Sequence, residues 1–361
     1  MSRWPRGRVL GGSSILNYML YMRGHPGDYD AWGQLGLEGW SWREVLPAFI
    51  RSENWHGEVG TGRGKEGELS VEESRHQDGV TDALIKGAAE LGYNVGDLNS
   101  ALVDGGFTVS QVTTRKGHRA GAYRTFAEEH KGRGLTVMSH TTATRVVFQG
   151  KRAVGVEVER FGAVQEVLAA QEVILSAGAV GSPHLLLLSG VGDAAHLEEV
   201  GVDLVHNLPG VGSNLQDHLI SPVSLEVEDG AALDLLTALS PSSLWQYLRH
   251  GAGPWASPGG CTGLALFHSE NRSRLASPDL QLHIASLSLA TDHGTVYRQN
   301  FNTEEVALQY ISPHFGKATA SIIATLNRPK SRGTIRLRDS SPHSHPVIDP
   351  QYLTHKDDIK R

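Results

Sequence analysis

The sequence predicts an α/β fold carrying a second, sheet-based domain, and three observations predict it. Residues 135–175 read as successive β runs that end in a glycine turn and an apolar helix. That strand–glycine turn–helix unit is the part of an α/β sheet where ligands usually sit. After His218 the texture changes to short β-like runs separated by loops. The length of 361 residues leaves room for two domains and a sizeable core.

The elements follow in chain order. Gly11 and Gly12 precede Ser13 and Ser14, which are good N-cap residues. Ile15, Leu16, Met19, Leu20 and Met22 have helical spacing and Gly24 suits a stop, so a glycine-rich loop feeding one helix is expected here. Residues 56–68 are rich in glycine and charge and read as an exposed loop. Their GxGxxG match at Gly62, Gly64 and Gly67 has no strand before it or helix after it, so it is assigned to chance. A helix is expected over Val80–Leu91. Strands are expected at Leu135–Met138, Thr144–Gln149, Ala153–Glu159 and Glu172–Leu175, with turns at Gly150–Lys151 and near Gly162. In the following helix Ser182 suits the N-cap, Pro183 the first turn and Gly190 the C′ position. Beyond residue 218, β-like runs lie at Pro222–Val227, Leu280–Ala285 and Ala318–Ala324. Loops are expected at Ser240–Ser243 and Gly251–Gly260, and a turn and strand over 328–338.

Composition narrows the function classes. The formal charge is −6 with both signs interspersed, so nucleic acid and anionic membrane are poor partners. One cysteine, Cys261, excludes an internal disulfide and a multi-thiolate metal site. The longest apolar run, Leu185–Leu188, is too short to span a bilayer. No signal peptide is visible, and the compartment stays open.

Arg6 to Asn17 (RGRVLGGSSILN) is the segment with most chemical content. Two residues without Cβ let a backbone approach a flat or anionic ligand, and a helix start offers N–H groups and positive potential. Asn17 lies three residues beyond Ser14 and can both donate and accept. A plain loop with a helix cap accounts for the same residues, so chemistry alone leaves both readings open. Asp217-His218 are adjacent, do not face each other, and lack a nucleophile motif, which favours a structural role over an acid/base pair. His343-Ser-His345 lacks metal-site spacing, so no metal is expected.

Gly7 to Asn17, with Tyr21, Arg23-Gly24 and Asp28-Tyr-Asp-x-Trp32 behind it, resembles the first signature of the glucose–methanol–choline (GMC) oxidoreductases, in their choline dehydrogenase-like branch. Gly178 to Gly192 (GAVGSPHLLLLSGVG) is similar to their second signature. Gly210 to His218 and Arg328 to Gly333 match in order and spacing. The resemblance implies an α/β FAD-binding (Rossmann-like) domain with a β-meander over 1–218, lacking its N-terminal βαβ unit. It implies an α+β substrate-binding domain with a mainly antiparallel sheet over 219–327, and the start of a C-terminal segment over 328–361. The flavin contacts implied are Val9, Gly11, Gly12, Ser13, Asn17, Tyr18, Met19 and Leu20, and a backbone group of Val146. Leu16 stands where some members carry a flavin-linked histidine, so the FAD is expected to be non-covalent. The implied activity is oxidation of a CH–OH group, of a primary alcohol such as choline or of a sugar, with hydride transfer to flavin N5 and an unspecified electron acceptor. A hydroxynitrile lyase-like enzyme of the same fold, or an inactive shortened homologue, are the alternatives. Relative to the family, the sequence reads as a fragment shortened at both ends: the initial GxGxxG unit and the histidine-bearing final segment are expected outside it. No catalytic residue is therefore assigned, and the chain by itself is expected to be inactive.

Overall fold

The computed structural model describes residues 3–58, 60–100, 105–269, 277–295 and 305–360. Val59, inside the expected 56–68 loop, and Arg361 lie outside the described residues. Chain contacts divide the molecule into two units, Met1–Leu135 with Ile220–Asn327, and Thr136–Leu219 with Arg328–Arg361. The breaks at 219/220 and 327/328 fall where the sequence changes texture. The grouping, however, is discontinuous: the first 135 residues pack with 220–327 rather than with the meander.

The first unit is built on a sheet ordered Leu219–Glu226, Thr319–Leu326, Leu280–Ala285, Cys261–Phe267, Gly106–Val109. The last three junctions are antiparallel. Period-2 alternation gives this sheet two functions. Ile284 points to one face, where it packs with Val80 and Ala320. His283 and Ala285 point to the other, onto a cavity. The helix Gly79–Glu90 covers the first face, started by Asp78, whose carboxylate accepts the Thr81 N–H at 2.9 Å. A Cβ on Gly263 would lie 3.0 Å from Ile284 and 3.1 Å from Thr81, so a glycine there lets helix and sheet approach.

Pairing changes several sequence expectations in this unit. The helix expected after Ser13 is a four-residue 3-10 turn, Gly12–Ile15, with Gly11 at its N-cap. The chain then becomes extended: Leu20 bridges Val112, Tyr21 N–H donates to Gln111 O at 2.8 Å, and Thr113 N–H donates to Met19 O at 2.8 Å. Tertiary strand pairing overrides helical spacing here, and Met19, at φ 60°, makes the change of direction. The loop expected at Ser240–Ser243 is the start of a helix, Pro241–His250. Ser240 caps it, Pro241 begins it, and Gly251 ends it at φ 59°, a start-and-stop pattern legible in the sequence.

The second unit contains a meander of three antiparallel strands, Thr141–Gln149, Arg152–Arg160 and Ala163–Leu168. The expected strands Leu135–Met138 and Glu172–Leu175 do not form: Leu135 makes only an isolated bridge to Lys131, residues 172–175 are not paired among the described residues, and Ile174 is exposed. The helix Gly178–Leu188 starts before Ser182, which instead accepts the Ala177 N–H on its hydroxyl at 3.0 Å. Pro183 lies inside the helix, and Gly190 follows its end at φ 82° as expected. Leu187, Val191, Leu197, Val211 and Leu337 form the core. The segment 328–361 returns to this core through a Leu215–Gly333 bridge and the hairpin Thr334–Arg336/Val347–Asp349. No helix among the described residues is long and apolar enough to cross a membrane.

Candidate functional site

The segment before the 3-10 turn folds back on itself because of glycine. A Cβ on Gly7 would lie 2.2 Å from Gly12 O, and the Gly7 N–H donates to Ser13 Oγ at 3.2 Å. Gly11 and Gly12 both have positive φ, 95° and 56°, a region L side chains rarely adopt. A Cβ on Gly12 would meet no protein atom within 4 Å, so the backbone there faces open space. Ser14 closes the turn with its hydroxyl, which donates to Gly11 O at 2.5 Å and accepts the Ala122 N–H at 2.8 Å.

Arg119 is the principal anchor, and sequence reading missed it. Its guanidinium donates to Ser14 O at 3.0 Å, and to Asn17 O and Oδ1 at 2.8 Å each. Partial burial lowers its pKa, yet an arginine remains cationic at neutral pH. Asn17 Oδ1 also accepts the Met19 N–H at 3.1 Å, which fixes the amide's acceptor end. Val9, Leu10, Leu16 and Tyr18 stay largely exposed around this backbone. The turn therefore presents an apolar rim beside an unobstructed backbone at Gly12.

Downstream, a buried polar network holds the segment in place. Glu53, fully buried, accepts from Arg23 at 2.7 Å, from Arg63 at 2.8 and 3.0 Å, and from the Gly64 N–H at 2.9 Å. Arg63 also reaches Asp97 at 2.6 Å and Gln111 at 2.9 Å, and Asn99 binds the Arg23 N–H at 2.8 Å. Two arginines thus balance two carboxylates with their donors satisfied, the condition under which buried charge is tolerated. The 56–68 segment is accordingly not an exposed loop throughout, since Arg63 and Gly64 are buried. Two of its glycines serve packing: a Cβ on Gly64 would lie 1.9 Å from Ile50 O and one on Gly67 2.2 Å from the Ser52 carbonyl carbon. No local pattern announces this network, because its members are spread from residue 23 to residue 111.

Tyr18 and Leu20, at the extended end of the first segment, line a cavity of about 390 Å³ against the open face of the sheet. The Tyr18 ring lies over Gly259, where a Cβ would be 2.4 Å from it. Cys261 and His283 stand on the sheet wall, with Sγ 3.6 Å from Nδ1, while His283 Nε2 is 2.9 Å from Gln281 Nε2. Burial pushes the Cys261 thiol up to about 12, so it is neutral at physiological pH and unsuited to act as a base.

Of the nine expected flavin contacts, eight lie on the first segment. Val9, Gly11, Gly12 and Ser13 form its open turn, Asn17 its anchor and Met19 its bend, while Tyr18 and Leu20 reach the cavity. Val146 belongs to the other unit, buried in the first meander strand, with its N–H donated to Ser189 Oγ at 2.8 Å. Asp217 accepts from the Tyr352 hydroxyl and His218 is exposed, so the Asp-His pair does not act as a unit. Among the described residues no group of three or more His, Cys, Asp or Glu side chains gathers as a metal site.

The chain is 37% identical to the glucose dehydrogenase [FAD, quinone] of Drosophila melanogaster, over 99% of this chain and 56% of that protein. It is 34% identical to the oxygen-dependent choline dehydrogenase of Brucella canis, over 98% of this chain and 61% of that one. Among solved structures it is similar to the pyridoxine 4-oxidase from Mesorbium loti, with a TM-score of 0.79 and 28% identity over 99% of this chain and 63% of that one. The chain therefore spans between 56% and 63% of the length of these relatives. The family described as GMC oxidoreductase matches residues 1–220, and the chain belongs to that family.

Proposed function

We propose that the protein of which this chain forms the described part is an FAD-dependent oxidoreductase acting on the CH–OH group of a small alcohol, and that this chain supplies much of the flavin and alcohol sites. The observation that carries the reading is the open backbone at Gly12, continuous through Asn17 with the cavity at Tyr18 and Leu20. Bound FAD would supply the hydride acceptor for the alcohol carbon. Val9, Gly11, Gly12 and Ser13 would hold its polar length by close backbone approach. Asn17 through Leu20 would border its ring, and Val146 would contact its adenosine end. Leu16 has no nucleophilic atom, so the cofactor is held non-covalently.

The chain's own contribution to the reaction is binding, orientation and exclusion of water. Arg119 fixes the carbonyls of Ser14 and Asn17, which sets the path of the segment between turn and cavity. The sheet wall closes the cavity from behind. Cys261 remains a neutral thiol, and His283 is occupied by Gln281 and Cys261, so neither is assigned as the base. The relatives' names support oxidation of a CH–OH group rather than the lyase reading, since the curated relatives above are named as dehydrogenases. Choline and glucose are the substrates that those names suggest.

Titration with FAD under anaerobic conditions tests this. A saturable flavin difference spectrum that Gly12→Val abolishes is expected, followed by bleaching on addition of alcohol in the full-length protein. Flavin that binds but stays oxidised while substrate is cleaved would favour the lyase. No flavin binding by either form would overturn the proposal.

A further inference from the structure

We propose that Tyr247 and Gly251, at the C-terminal end of the helix Pro241–His250, are positioning residues for the flavin-contacting segment, acting through the hairpin that carries Arg119. This rests on the reading of residues 9–20 as flavin contacts.

The hairpin pairs Thr114 with Arg119 and Arg115 with His118. Its two-residue turn, Lys116-Gly117, has positive φ at both positions, 54° and 77°. A lysine is rarely left-handed, so the turn needs support from outside itself. Three contacts supply it. Glu72 accepts the Gly117 N–H at 2.7 Å and the Thr114 hydroxyl at 2.6 Å. Gly251 meets the tip backbone to backbone: a Cβ on Gly117 would lie 1.9 Å from Gly251 O, and one on Gly251 1.8 Å from Lys116 O. The Tyr247 hydroxyl shares a hydrogen bond with His118 Nδ1 at 3.0 Å, and the two rings meet edge to face. Arg75 joins these supports, donating to Glu72 at 3.0 Å and to the His250 carbonyl at 3.3 Å.

The base of the same hairpin holds the flavin-contacting segment. Arg119 fixes the carbonyls of Ser14 and Asn17 with three hydrogen bonds, one of them to the Asn17 side chain. Just beyond it the Ala122 N–H reaches Ser14 Oγ at 2.8 Å, and a Cβ on Gly121 would lie 2.3 Å from Ile15 Cδ1. Just before it the Thr113 N–H donates to Met19 O at 2.8 Å. The hairpin therefore straps the segment to a helix end far along the chain. A segment held in place before its ligand arrives loses less conformational freedom on binding, so support at the tip raises affinity without touching the ligand. Tyr247 is half-buried on a helix whose adjacent residues are exposed, so trimming its hydroxyl opens no core.

Hydrogen–deuterium exchange of the chain without FAD, with an FAD titration beside it, tests the inference. The amides of Asn17, Met19 and Tyr21 donate to Ser13 O, Asn17 Oδ1 and Gln111 O, so their exchange reports opening of the segment. Tyr247→Phe and Gly251→Ala should speed exchange over residues 13–22 about threefold and about tenfold, and weaken FAD by similar factors. Exchange in the strand Leu280–Ala285 should stay unchanged, which a general loss of stability would not permit. In an Arg119→Ala background neither substitution should add much, because Arg119 carries most of the connection. Unchanged exchange in both variants overturns the inference. So does full additivity with Arg119→Ala, equal acceleration in Leu280–Ala285, or FAD affinity that stays constant while exchange rises. If the wild-type chain binds no FAD but the exchange pattern is seen, the flavin reading fails and the positioning of the segment stands. If the wild-type chain binds FAD and neither variant alters exchange, the flavin reading stands and the inference fails.

Discussion

Two glycine-rich segments of the first unit use the same residue for opposite purposes. At 64 and 67 the glycines are closed in: a Cβ on Gly64 would overlap Ile50 O at 1.9 Å, and the neighbouring Arg63 is buried against Glu53, Asp97 and Gln111. At 7–12 the loop closes tightly at Gly7 but opens at Gly12, where nothing lies within 4 Å. The first arrangement is a packed support, fixed by charge and sterics. The second presents backbone to the outside, rimmed by exposed Val9, Leu10 and Leu16. Both read as Gly-rich loops in the sequence; the space beside each glycine distinguishes scaffold from candidate site.

The comparison predicts where substitutions harm stability and where they harm binding. Glu53→Gln leaves Arg23 and Arg63 buried with a neutral partner, so a loss of about 3–5 kcal/mol is expected in urea unfolding. A loss below about 1 kcal/mol would show that the network is not the support of this unit. Gly64→Ala forces backbone to move and should cost about 3 kcal/mol, with the same measurement as check. If Gly64→Ala and Gly12→Ala prove equally harmful, the contrast between closed and open glycines is broken.

The closed region also carries an acid dependence. Burial opposes ionisation of Glu72, but hydrogen bonds from the Gly117 N–H, Thr114 and Arg75 outweigh it and hold the carboxyl below its usual range. A lowered folded pKa gives stability that is complete above the unfolded carboxylate pKa and is lost as pH falls through the folded one. Glu72→Gln should therefore cost about 1 kcal/mol near neutrality and flatten the acid limb of the stability curve. An unchanged limb would remove Glu72 from the account. Gly12→Ala should have the smallest stability effect, about 1 kcal/mol from the left-handed backbone alone. It should nonetheless weaken FAD about tenfold, because its methyl occupies the open space proposed for the ligand; unchanged FAD affinity would argue against that placement.

Much of this was legible in the residues. The strand Leu280–Ala285, the helix around Val80 and the first two meander strands follow from local periodicity, which the tertiary structure had no reason to oppose, whereas the third, Ala163–Leu168, was not read from the sequence. The two glycine-rich signatures lie in continuous runs, so the family could be identified from them. Periodicity failed where a distant partner outbid it. Leu16 to Met22 have helical spacing, yet Gln111, Val112 and Thr113 draw residues 19–21 into strand-like pairing, and Arg119 ties down Asn17.

The sequence by itself thus determined the fold class and the family, because each is written in neighbouring residues. Only the tertiary structure decided which glycines are open, that Arg119 positions the segment, that Arg23, Glu53 and Arg63 form its support, and that Tyr18 and Leu20 share a cavity with residues of the sheet. Each of those depends on residues far apart in the chain, where the free energy of burial, and not local conformational preference, selects the contact.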